Sequence, residues 1–212
     1  MTMPQRDYLR DPAAIYQQSF ETVRREAALE QFPPGAQGLV VRMIHACGMV
    51  DIAGDVRVEG DPAGSGARAL QSGKPILVDC EMLAHGIIGS RLPADNKVVC
   101  SLNDLSVPSL AHQQQTTRSA AAVELWKTQM EGAVVAIGNA PTALFRLIEL
   151  LEEGAPCPAV IVAAPVGFVG AVESKQALIE ASLGIPFVTL TGRRGGSAIA
   201  AAAVNALAGD LA

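Results

Sequence analysis

The sequence predicts an α/β fold: a single domain built on a mainly parallel five-stranded sheet flanked by helices. Three observations lead there. Five short apolar or β-branched runs recur, at 76–78, 98–100, 134–137, 160–163 and 187–190. Their residues are continuously apolar rather than alternating, the pattern of strands covered on both faces. Each run is followed by a stretch with helical character, and strands alternating with helices imply a doubly wound parallel sheet. The composition agrees, because 212 residues with 50% hydrophobic content supply one core of ordinary size, and 17% charged residues are too few for a disordered chain.

Taken in order, residues 11–31 read as an amphipathic helix with Asp11 as N-cap and Pro12 at the first helical position. Ile15, Phe20 and Val23 are its expected apolar face. Pro33 and Pro34 stop this helix and start the next, over 35–47, with Gly48 as its C-cap. Residues 1–50 thus form a helical N-terminal part within a domain spanning 1–212. Residues 55–73 carry no usable motif. The helices after the five strands are expected at 81–88, 116–130, 141–152, 174–183 and 197–207.

Several function classes fit poorly. The net charge of −5 and the 4% aromatic content disfavour nucleic-acid binding. Residues 1–10 are polar, with no apolar leader, and the longest small-apolar stretch, 197–207, is too short to span a bilayer. Cys47, Cys80, Cys100 and Cys157 lie far apart, which reads as reduced thiols in a cytoplasmic protein. With only His45, His85 and His112 available, no zinc-type cluster is formed. No GxxxxGK[ST], GxGxxG or GxSxG motif is present.

Ligands of such sheets bind beyond the carboxyl ends of the strands. Three glycine-rich loops stand there: Gly138-Asn139-Ala140-Pro141-Thr142, Pro165-Val166-Gly167-Phe168-Val169-Gly170, and Thr191-Gly192-Arg193-Arg194-Gly195-Gly196-Ser197. Each alone reads as a strand-to-helix turn. Together, with a helix starting after each, they offer backbone N–H groups to an anion. Arg193 and Arg194 read either as a solvated pair or as a clamp for carboxylate or phosphate. His45 also reads two ways. Near a helix C-terminus it is a structural residue capping carbonyls, or an imidazolium favoured by the helix dipole and poised to donate a proton.

The ordered set of segments Ile15–Phe20, 42–48, 138–144, 165–175 and 192–197 resembles the precorrin-8X methylmutase family over almost the whole chain. The resemblance implies an isomerase acting on a tetrapyrrole, precorrin-8X. A methyl group migrates from C11 to C12 by a 1,5-sigmatropic shift, giving hydrogenobyrinic acid, with no cofactor and no metal supplied by the protein. It implies His45 as the general acid. It implies Ser19, Arg118, Asn139, Thr142, Gly167, Gly170, Arg193, Arg194 and Gly195 as substrate-binding residues, and a homodimer with the site near the interface. The cobalt-precorrin-8 methylmutase of the anaerobic branch and a non-catalytic corrinoid carrier are the alternatives, with a nucleotide-binding Rossmann-like protein as a third.

Overall fold

The structure is a computed structural model and describes residues 6–209, so the polar stretch read over 1–10 lies outside the described residues as far as residue 5. Two helices lead, α1 (Pro12–Glu26) and α2 (Pro34–Cys47). The Asp11 side chain accepts from the Ala13 N–H, as an N-cap should, and Gly48 closes α2 in the left-handed conformation. Helix α1 ends five residues earlier than the sequence suggests, because Ala27 turns extended and donates back to the Val23 carbonyl. Phe20 and Val23 are buried, but Ile15 is 43% exposed and so is not part of the core.

The stretch over 55–73 holds two elements that the sequence reading passed over, β1 (Val56–Glu59) and α3 (Pro62–Gln71). Then come β2 (Ile76–Val78), α4 (Glu81–Gly86), β3 (Val98–Cys100), α5 (Val107–Gln113), α6 (Arg118–Glu124) and β4 (Val134–Ile137). The chain continues through α7 (Pro141–Glu152), β5 (Val160–Ala163), α8 (Ala171–Glu180), β6 (Phe187–Leu190) and α9 (Ser197–Leu207). Helix α6 is shorter than the expected 116–130, α8 starts three residues earlier than expected, and α4 stops at Gly86.

The sheet has six strands in the order β1-β6-β5-β4-β2-β3, one more than the five expected. The five anticipated strands are mutually parallel, and β1 is added antiparallel at the edge, with Val56 facing Leu190. Its side chains alternate in burial, as those of an edge strand do. Both faces of the inner strands are covered. Val134, Ala136, Val160 and Val162 join a core under α1, α2, α3 and α9, while Val135, Ile137, Ile161 and Ala163 join a second core under α7 and α8. Each fully buried Val, Leu or Ile contributes about 1.5–3 kcal/mol. Small residues let α9 lie close to its neighbours: a Cβ on Gly86 of α4 would come within 2.7 Å of the Ala201 Cβ.

Candidate active site

The parallel order places the loops after β4, β5 and β6 side by side. Their glycines are needed for close approach. A Cβ on Gly195 would stand 2.7 Å from the Pro165 carbonyl oxygen and closer still to that of Ala164. Gly170, at φ +79°, packs against Pro141 at the start of α7, and a Cβ on Gly138 would stand 2.8 Å from the Ser197 Cα at the start of α9. The first turns of α7, α8 and α9 therefore converge on one rim, but the N–H groups of residues 138–140 are not offered to a ligand as expected, because a buried carboxylate takes all three.

Two buried charges fix this rim, and the sequence reading assigned neither a role. Asp79 follows β2 directly and is 3% exposed. Its carboxylate accepts from the N–H groups of Gly138, Asn139 and Ala140 at 2.7–2.9 Å. Burial raises its pKa, against the pull of those three donors. Lys175 of α8 is fully buried and donates to the carbonyl oxygens of Pro165 (3.0 Å) and Arg194 (2.7 Å), tying the second loop to the third. Burial lowers its pKa to about 8, and Asp55 opposes the shift. A polar residue directly after an apolar strand, as Asp79 is, was the available signal.

The anticipated site residues fall into two groups. Asn139, Thr142, Gly167, Gly170, Arg193 and Gly195 lie on the rim loops and the first turn of α7. Arg118 adjoins them, since its neighbour Thr117 shares a 2.8 Å hydrogen bond with Thr142, while its guanidinium donates to the Leu102 carbonyl and to Asn103. Arg193 lies with its guanidinium 5.4 Å from the Phe168 ring centre. Arg194 turns the other way and forms ion pairs with Asp51 and Asp55.

Ser19 and His45 form the second group and line a shared hollow of about 570 Å³ together with Ile15, Val23, Ile44 and Val50. The His45 ring lies 5.8 Å from the Tyr16 ring and 5.0 Å from the Phe20 ring. The end of α2 is capped without the imidazole: the Gly48 N–H and the Cys47 thiol take the Ile44 carbonyl. The helix terminus favours the imidazolium, but two other effects oppose it. Burial, and then the charge of Arg42, push His45 below the ordinary histidine value. The two groups are linked, because Asp51, the ion-pair partner of Arg194, belongs to a 3-10 turn (Val50–Gly54) whose first residue lines the hollow.

A family model described as precorrin-8X methylmutase matches residues 14–209. The chain belongs to the precorrin-8X methylmutase family. A precorrin-8X methylmutase from Pseudomonas aeruginosa is 56% identical over 95% of this chain and 97% of its own length. A cobalt-precorrin-8 methylmutase from Priestia megaterium is 34% identical over 92% of this chain and 87% of its own length. The crystal structure of a precorrin-8X methylmutase from Thermus thermophilus superposes with a TM-score of 0.83 at 39% identity, covering 92% of this chain and 94% of that one.

Proposed function

We propose that this chain is an isomerase of cobalamin biosynthesis that moves the methyl group of precorrin-8X from C11 to C12, yielding hydrogenobyrinic acid. Membership of the methylmutase family carries this reading. The substrate bears several acetate and propionate carboxylates. The rim amides of Gly170 and Gly195, with Asn139, Thr142, Arg118 and Arg193, bind these groups, and Gly167 shapes the second loop by donating to the Arg193 carbonyl; Ser19 holds the macrocycle near His45. The rearrangement is intramolecular, so the protein supplies no nucleophile. Its task is to orient the ring and to shift electron density by a proton or strong hydrogen bond from His45, an effect of about 10²- to 10⁴-fold. Arg194 contributes by holding the third loop to the wall of the hollow.

The metal-free branch is favoured over the cobalt branch, because identity to the precorrin-8X enzyme exceeds that to the cobalt-precorrin-8 enzyme by a wide margin. The active species is a homodimer, a reading supported by the apolar tip of the second rim loop, where Phe168 is 85% exposed. The protein acts in the cytoplasm, in keeping with its four free cysteines. Among the described residues no helix is long and apolar enough to cross a membrane.

The test is conversion of precorrin-8X followed by absorbance, with circular dichroism and a melting curve on the same samples. Wild-type protein should turn over; a corrinoid carrier would bind without converting. His45→Ala should remain folded, keep much of its affinity for hydrogenobyrinic acid and lose turnover. A folded His45→Ala protein working at the wild-type rate would remove the proton from the mechanism.

A further inference from the structure

The helix pair that carries His45 also carries a buried cation without a described function. Arg42 precedes His45 by three residues, so the two are neighbours on α2. Arg42 is 9% exposed, and its Nε is buried with no hydrogen-bond partner. Its guanidinium lies 4.6 Å from the Phe20 ring centre and 5.7 Å from that of Tyr16, the same two rings that flank the imidazole. Among the described residues its ion-pair partner is missing: every acid in an ion pair is matched with another base. Burial lowers its pKa and the charge of Arg91 adds to that, while the Tyr16 hydroxyl, a neutral partner at ordinary pH, opposes the shift. Aromatic faces stabilise such a cation only in part. A buried cationic donor that lacks an ion-pair partner, three residues from a histidine that lines a hollow, favours an anion.

The surrounding elements supply no counter-ion. From α1 come Tyr16, Arg24 over the Phe20 ring, and Glu26, which lines the hollow on the His45 side. From the 3-10 turn after α2 comes Asp51, engaged by Arg194, and from α3 comes Arg68, 3.6 Å from Asp61. Helix α9 has no titratable side chain. A second 3-10 turn (Gly89–Arg91) adds Arg91. The surroundings of Arg42 are therefore aromatic and cationic, and a carboxylate is the group that Arg42 and Arg91 both lack.

We propose that Arg42 is a carboxylate-binding residue that sets the proton state of His45. Unpaired, its charge keeps the imidazole neutral; paired with a carboxylate of the bound tetrapyrrole, it allows the imidazole to take one proton from solvent. This deepens the preceding reading and rests on it for the identity of the ligand. A like charge disfavours the protonated form and a nearby opposite charge favours it, so seating the carboxylate reverses the local field. The acid is then assembled only with substrate in place.

The test is calorimetric titration of hydrogenobyrinic acid into the protein, at the lower edge of the ordinary imidazole range, in buffers of differing ionisation enthalpy. Wild-type protein should take up close to one proton per site, and His45→Ala should bind with that uptake lost. Imidazole nitrogen NMR should show the His45 titration moving upward on binding. In Arg42→Met that titration should already be raised in the free protein, with affinity down about ten- to a hundredfold. Arg42→Lys, which keeps the charge, should hold the titration low. Wild-type binding without proton uptake overturns the proposal while leaving the methylmutase reading intact, and this arm needs no folded variant. Failure of hydrogenobyrinic acid to bind at all overturns both.

Discussion

The Nζ of Lys175 lies 2.7 Å from the carbonyl oxygen of Arg194, at a depth where the lysine has no exposed surface. A second bond to the Pro165 carbonyl makes this one ammonium the clamp between two rim loops. Lys175→Met should therefore separate binding from stability. Removing a buried charge offsets much of the lost hydrogen bonding, so the melting temperature should change little at neutral pH. Affinity for hydrogenobyrinic acid should fall, up to about a hundredfold, because the loops lose their common anchor. The pH dependence has a definite sign. The folded pKa, about 8, is below the ordinary value of 10.5, so the unfolded chain binds more protons between them. Stability from this group rises with pH across that window and is lost as pH falls towards 8. Wild-type melting curves should carry this rise and those of Lys175→Met should lack it.

Asp79 is expected to matter to the fold itself. Replacing it by Ala leaves the three N–H groups of residues 138–140 without their acceptor. A loss of about 2–4 kcal/mol is expected from unsatisfied donors at a mostly buried site. Urea unfolding checks this, and a variant as stable as the wild type would mean that water replaces the carboxylate.

Arg193 and Arg194 should behave differently despite adjacency. Arg193→Ala should weaken hydrogenobyrinic acid binding about ten- to a hundredfold, the value of a charged hydrogen bond. Arg194→Ala breaks ion pairs to Asp51 and Asp55 that are open to solvent, so the loss in stability should be small. Its effect on affinity should be the smaller of the two. Equal affinity losses in separate titrations would mean that Arg194 leaves its acidic partners to meet the ligand.

Gly195→Ala should move the third loop, since the added methyl meets two backbone carbonyls that cannot yield as a flexible side chain would. A cost of about 1–3 kcal/mol is expected from overpacking, with reduced product affinity. The neighbouring Gly196 has φ +125° but open space around its Cα, so Gly196→Ala tests backbone conformation separately from crowding. Melting curves on both variants distinguish the two causes.

The buried strands were legible because their apolar runs need no long-range information. Val134–Ile137 and Val160–Ala163 are covered on both sides, and their composition says so. Strand β1 was not read, although Val56-Arg57-Val58-Glu59 alternates, because four residues followed by Gly60 form a weak signal until β6 supplies a partner. The early end of α1 at Glu26 depends on Leu29 and Phe32 entering the core, a tertiary effect. The rim glycines could be listed from sequence, but their convergence required the strand order. Lys175 and Asp79 were invisible as anchors because their partners are backbone groups, which sequence does not label.

The reversed direction of β1 has a topological consequence. Val56 pairs with Leu190, and the Thr191 N–H donates to the Asp55 carbonyl, so the chain enters β1 from the end where β6 finishes. A parallel strand at that edge would be entered from the opposite end, displacing its leading segment by roughly 13 Å for four residues. The single reversed strand thus acts as a hinge-point of connectivity. It brings residue 45 and residues 193–196, nearly 150 positions apart in the chain, to the same end of the sheet without a long crossover.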